Sequence, residues 1–257
     1  LAQYEQVLGD THPDTLTSRN GLAIAYESVG DLGRAIPLHE TTLAQREQVL
    51  GDTHPDTLHS RNGLAWAYIT AGNLKQGISL CEATLAQHKQ VLGDTHPDTL
   101  NSRDTLAYAY VTARNLERAV PLCEVTLAQR ERVLGDTHPQ TLESYNTLAY
   151  ACRVAGDLER AIPLYENTLA QCERILGDMH PVTLTSRSGL AWVYLAAGEL
   201  ERAIPLYEVI LAQYEQALGD TYPDTLNSHA NLAHARRAAQ TMQQRTATTA
   251  EAPPAPQ

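Results

Sequence analysis

The chain has 257 residues, 43% of them hydrophobic but only 5% aromatic and none Phe, a composition that suits helices packed through Leu and Ala better than a β-sandwich. Its formal net charge of -11 and pI near 5.3 leave no basic stripe for nucleic acid and argue against docking on anionic membrane. No apolar run approaches the roughly 18 residues that cross a bilayer, and the 4 cysteines form no CxxC pair, so thiols in a soluble, cytoplasmic protein are expected rather than disulfides.

Residues 1–10 match only the second half of a helix that recurs complete further on. The chain is therefore expected to be a piece of a longer protein, because so short a half-helix is unstable alone in water. The stretch LGDTHPDTL follows at Leu8 and returns unchanged at Leu50 and Leu92, with near-copies at Leu134, Leu176 and Leu218. Its glycine keeps one step of 42 residues through Gly9, Gly51, Gly93, Gly135, Gly177 and Gly219. A fixed period of this size predicts a solenoid whose units must stack to bury their apolar faces.

Residues 11–220 hold five such units, each read as two helices. In the first unit helix A runs from about Pro13 to Val29, with Leu16, Leu22, Ala23 and Tyr26 near one face. Gly30 stops it and Asp31 is the expected N-cap of helix B, which spans about Leu32 to Leu50 with Ile36, Leu43 and Leu50 on its apolar side. Gly51 is the expected left-handed stop. Pro37, Pro121, Pro163 and Pro205 fall inside helix B and should bend it, whereas Ser79 takes that place in the second unit.

The recurring His-Pro-Asp reads as punctuation at a helix start. Thr11 is placed to accept from the amide of Asp14, Pro13 sits in the first turn, and Asp14 faces the positive end of the helix dipole. His12, His54, His96, His138 and His180 then form a ladder of solvated or cap-bonded imidazoles. Neighbouring units are about 10 Å apart, too far for one zinc ion at about 2 Å from each ligand. No metal is expected.

Residues 221–243 read as a terminal capping helix, with Arg236 at the core Tyr position, and residues 244–257 as a disordered tail that ends the natural protein.

The landmarks L-A-x-A-Y-x-x-x-G-D-L-x-R-A-I-P-L-x-E-x-T-L-A-Q-x-E-x-x-L-G-D-x-H-P-D-T-L resemble tetratricopeptide repeats, in the 42-residue variety of the kinesin light chain, over about residues 1–240. The resemblance implies an all-α, right-handed α-α superhelical solenoid of stacked helix pairs, with A helices lining a concave groove that receives peptide segments. Near-identical repeats of this kind are also common in bacteria, often at the C-terminal end of large nucleotide-binding signalling ATPases. Arg114 departs from the pattern where Gly ends the other A helices, and Cys152 where Tyr stands, which predicts small packing differences in the third and fourth units.

By that resemblance the groove position follows the constant Leu-Ala pair: Ile24, Trp66, Tyr108, Tyr150, Trp192 and His234. Asn20, Asn62, Asp104 and Asn146 lie about a turn earlier, beside the small residues Gly21, Gly63 and Gly189. Amide side chains can donate to and accept from a peptide backbone, small neighbours leave space, and Trp or Tyr offers rigid contact area. Asn20, Asn62, Trp66, Asp104, Tyr108, Asn146, Tyr150 and Trp192 are thus the candidate partner-binding residues; the alternative is that the rings merely pack on the next A helix. Arg19, Arg61, Arg103 and Arg187 either line the groove edge or, facing helix B, pair with Glu40, Glu82, Glu124, Glu166 and Glu208 as an internal ladder. Arg46 with Glu47 and Arg130 with Glu131 read as solvated helix surface.

There is no phosphate loop, HExxH or GxSxG, so neither catalysis nor a cofactor is expected. The expected role is a scaffold that binds a protein or peptide segment in the groove. The alternative is the C-terminal sensor or assembly arm of a multidomain nucleotide-binding ATPase of the STAND or NB-ARC type, with its nucleotide-binding domain upstream.

Overall fold

The computed structural model describes residues 1–250, except the side chains of residues 218 and 245–250, and contains twelve α-helices and no strand among them. One compact unit covers Leu1–Asp136. It holds α1 (Ala2–Leu8), α2 (Pro13–Ser28), α3 (Leu32–Leu50), α4 (Pro55–Thr70), α5 (Leu74–Leu92), α6 (Pro97–Thr112) and α7 (Leu116–Leu134). A second unit begins at Thr137 and holds α8 (Pro139–Ala155), α9 (Leu158–Leu176), α10 (Pro181–Ala197), α11 (Leu200–Leu218) and α12 (Pro223–Ala250).

Within each unit every helix packs on the next, and A helices also touch the following A helix: α2 with α4, α4 with α6, and α8 with α10. The close approach is made by small residues. Ala23, Ala65, Ala107, Ala149 and Ala191 on the A helices and Ala35, Ala119, Ala161 and Ala203 on the B helices are sealed from solvent. Leu16, Leu58, Leu100 and Leu142 fill the seam beside them.

The expected joints form, with two changes of detail. Each B helix ends on a glycine at φ 83–88 and ψ 161–169. That is not the left-handed helical stop expected at Gly51 but an extended, positive-φ region that essentially only glycine occupies. The A helix is capped by His12, not by Thr11. The Nδ1 atoms of His12, His54, His96, His138 and His180 each accept from the backbone amide two residues on, at 3.2 Å. The imidazole reaches the orphan amide because His, not Thr, immediately precedes the Pro that opens the helix. Buried Thr99, Thr183 and Thr225 close the same loop by donating to the carbonyls of Gly93, Gly177 and Gly219.

Asp31 and Asp157 cap their B helices as expected, accepting from the amides of Arg34 and Arg160. The B helices run unbroken through Pro37, Pro121 and Pro163. Arg114 adopts φ 58 and so takes over the turn that glycine makes elsewhere. The final helix α12 passes residue 243, where the sequence places its end, and reaches Ala250. The rest of the expected tail, 251–257, lies outside the described residues.

No helix among the described residues is long and apolar enough to cross a membrane. Cys81, Cys123, Cys152 and Cys172 are buried and in no disulfide. Burial pushes the Cys81 thiol up to about 12, which keeps it protonated and inert.

Candidate partner-binding face

Leu64 and Ala65, like Leu190 and Ala191, turn inward, so the residue after each pair is carried to the surface. Trp66 is 41% exposed between sealed Ala65 and Ala67, and Trp192 is 46% exposed between sealed Ala191 and Val193. In the first unit the rings of Trp66 on α4 and Tyr108 on α6 lie 4.9 Å apart at 31°, a tilted stack. The ring thus packs on the next A helix and still presents a face to solvent. In the second unit the guanidinium of Arg153 sits over Tyr150 at 4.9 Å and over Trp192 at 4.1 Å.

The polar candidates are placed differently. Asn20 is buried and its Oδ1 meets no hydrogen-bond donor. Asn62 Nδ2 donates to Ser102 Oγ on the next A helix at 3.0 Å. Asp104 is ion-paired with Arg130 at 2.7 Å. Asn146 accepts from Ser186 Oγ at 2.9 Å and donates to the Val182 carbonyl at 3.4 Å. Three of the four are therefore engaged inside the stack, because their position faces the seam between A helices. The space beside Gly63 and Gly189 is also taken. A Cβ on Gly63 would meet His39 at 3.1 Å, and one on Gly189 would meet the Tyr165 ring at 2.3 Å. At Gly63 and Gly189 the absent side chain accommodates the preceding B helix, whereas a Cβ on Gly21 would meet nothing within 4 Å.

The recurring arginines face helix B, but with other partners than expected. Arg19, Arg61, Arg103 and Arg187 are buried. Their Nη1 atoms donate to Gln45, Gln87, Gln129 and Gln213 of their own unit's B helix. Their Nη2 atoms pair with acids around the end of the preceding B helix: Glu5, Glu47, Asp94 and Glu173. Where Tyr145 replaces the arginine, the Oε1 of Gln171 is buried without a donor. Glu40, Glu82, Glu166 and Glu208 serve the following A helix instead. Glu40 and Glu82 accept from the hydroxyls of Tyr68 and Tyr110 at 2.5 Å, Glu166 accepts from Tyr194, and Glu208 pairs with Arg236 at 2.7 Å.

Arg46 and Arg130, read from the sequence as solvated helix surface, correct that expectation. Both are buried rather than solvated. Arg46 Nη1 donates to Ser60 Oγ at 2.8 Å and to the Asp56 carbonyl at 2.9 Å. Arg130 holds Asp104 and, at 2.5 Å, Asn101 Oδ1. The signal was present: Arg46 lies three residues after Leu43 and four before Leu50, on the apolar face. At the equivalent position His88 Nδ1 meets Ser102 Oγ at 2.7 Å. Burial holds the His88 imidazole below its usual range, so it is neutral at pH 7.

The sequence model of the tetratricopeptide repeat matches residues 29–76, 67–127, 113–166 and 145–216. No curated protein matches the chain. Among solved structures, a kinesin light chain-type protein of Podosopora anserina with nearly identical TPR-like repeats is 32% identical, over 80% of this chain and 98% of that one, with a TM-score of 0.61. BtubC from P. vanneervenii has the same fold at 19% identity, over 94% of this chain and 95% of that one, with a TM-score of 0.59. A Rap protein complexed with competence and sporulation factor is similar in fold at 11% identity, over 89% of this chain and 66% of that one, with a TM-score of 0.58.

Proposed function

The chain belongs to the tetratricopeptide repeat family, and from that premise we propose that it is an interaction scaffold that holds a peptide segment of a partner protein in the cytoplasm, against the exposed aromatic residues of its A helices. The observation that carries the reading is the exposure of Trp66 and Trp192 between sealed neighbours. Large rings kept half in water by a well-packed scaffold are the residue type that dominates binding energy at protein interfaces. The Rap neighbour shows this fold complexed with a factor, which supports the reading by analogy of fold alone. No contact or site among the described residues favours the second reading, an arm of a larger ATPase.

The test is a display selection of random peptides against the chain, followed by Trp66→Ala combined with Trp192→Ala. The exposed rings support little of the core, so helicity by circular dichroism should stay at the parent level while capture of the selected peptides falls at least about a hundredfold, the scale of one or two lost hot spots. Full capture by the folded double variant would remove the aromatic faces from the account.

A further inference from the structure

In the first compact unit the seam between A helices carries a guanidinium in the first and third repeats that the second lacks. On α3, Arg46 reaches into the seam to the Asp56 carbonyl and Ser60 Oγ, with Thr17 Oγ1 at 3.5 Å. On α7, Arg130 reaches Asp104 and Asn101. Between them, His88 on α5 is shorter and stops at Ser102. The remaining space is a cavity of about 400 Å³ lined by Asp56, His59, Asn62, His88, Asp98 and Asn101.

We propose that this cavity binds a guanidinium group brought by a partner, an arginine side chain of a peptide lying along the A helices. The inference rests on the scaffold reading and adds the chemistry of one anchor. His59 and Asn62 stand one repeat before Asn101 and Asp104, the side chains that hold Arg130, so polar side chains line the same two positions here. The carboxylates of Asp56 and Asp98 supply the negative charge, and no lysine or arginine is among the lining residues. A planar fork of donors can satisfy acceptors on two helices at once, whereas an ammonium is a single point of charge. The histidines and acids here are too dispersed to hold an ion: no group of three His, Cys, Asp or Glu among the described residues could hold a metal. Trp66 lies four residues beyond Asn62 on α4, about 6 Å along the helix, where the rest of the peptide would meet it.

The test titrates the chain with N-acetyl-arginine amide, the lysine amide and the citrulline amide, read by calorimetry and by NMR shifts of the His59 and His88 rings. We expect saturable one-to-one binding of the arginine amide, with the lysine amide at least about tenfold weaker and the uncharged citrulline amide weaker still, since the difference is one or two charged hydrogen bonds. His88→Arg refills the cavity as Arg46 and Arg130 do. It should fold with an unchanged or higher thermal midpoint and lose the arginine amide by about ten- to a hundredfold. Asn62→Asp copies Asp104 and should tighten it. The amide probes carry a side chain without the rest of a peptide, so this titration reads the pocket and the peptide selection reads the aromatic face, and a failure of either is read separately. Absence of saturation, equal binding of lysine, or undiminished binding to His88→Arg would each overturn the proposal.

Discussion

Arg130 on α7 and Cys172 on α9 hold the same repeat position, one in each unit, and both are sealed from solvent. In the first unit the position is charged and its neighbours match it, with Asp104 and Asn101 supplying the acceptors. In the second, Cys172 belongs to an apolar cluster with Leu142 and Val182, packed against Tyr145 and Leu176, and its sulfur lies 3.7 Å from Ser186 Oγ. Val182 itself stands where Asp14, Asp56 and Asp98 stand in the first unit. The stacking of helix pairs therefore dictates that this position is buried but not that it is polar. Each unit has filled the same volume with a self-consistent chemistry, and the polar version, shortened to His88, leaves the cavity described above.

The sharpest break of this comparison is Arg130→Ala. It strands Asp104 in the seam, and removal of one partner of a buried pair costs about 3–5 kcal/mol. Cys172→Ala removes a single small group and should cost about 1 kcal/mol, in line with small apolar deletions. Urea unfolding of the two variants should separate them clearly; equal losses would mean that the charge is not what holds the first unit's seam.

The next effect concerns the glycines. Gly189→Ala drives a methyl into Tyr165 and should cost about 1–3 kcal/mol by overpacking. Gly63→Ala meets only the rim of His39, and about 1 kcal/mol of helix propensity offsets the crowding, leaving it near neutral. Exchange of the second unit's pair for the first unit's, Tyr165→Cys with Gly189→Thr, should recover most of the loss by thermal melting, since Cys81 and Thr105 already occupy those two positions.

Tyr145→Arg carries the first unit's arginine rung into the second. It gives the orphaned Oε1 of Gln171 a donor, and one satisfied buried acceptor should raise stability by about 1 kcal/mol. A lower urea midpoint would show that Tyr145 is needed more by its apolar cluster than by Gln171.

The smallest effect is acid-dependent. The Tyr194 hydroxyl bond holds the Glu166 carboxylate below its usual range, with Arg202 adding to it against a smaller opposing desolvation. The folded value lies below the unfolded one, so the stabilisation is complete above the ordinary glutamate value of about 4.3 and disappears as pH falls through the folded value. The group is more than a third exposed, so the contribution is small. Tyr194→Phe should narrow the difference between unfolding midpoints at neutral pH and near pH 3; an unchanged difference would remove the pair from the acid response.

Much of this could be read from the chain before the structure. The period, the helix bounds and the glycine joints are carried by residues a few positions apart, and Gly, Pro and the cap residue act locally. The exposed aromatic position was readable from contrast, because constant Leu-Ala beside a varying ring separates core from surface. Partners across helices were not. Whether Arg19 meets Gln45 or Glu40 depends on how two helices cross, which spacing within either does not state. Arg46 was misassigned for a different reason: its residue type suggested water, while its position between Leu43 and Leu50 required burial, and position won. His39 with Gly63 and Tyr165 with Gly189 lie 24 residues apart in both cases. That recurrence becomes meaningful only once the preceding B helix is known to touch this A helix.

The joint at Gly51 has φ 87, and a methyl group built on it would find nothing within 4 Å. Bulk is therefore not what the position rejects; handedness is. A mirror-image alanine introduced there by chemical ligation would sit comfortably at these angles, and it would restrict the unfolded chain as well, so the protein should melt higher with D-alanine than with glycine and lower with L-alanine.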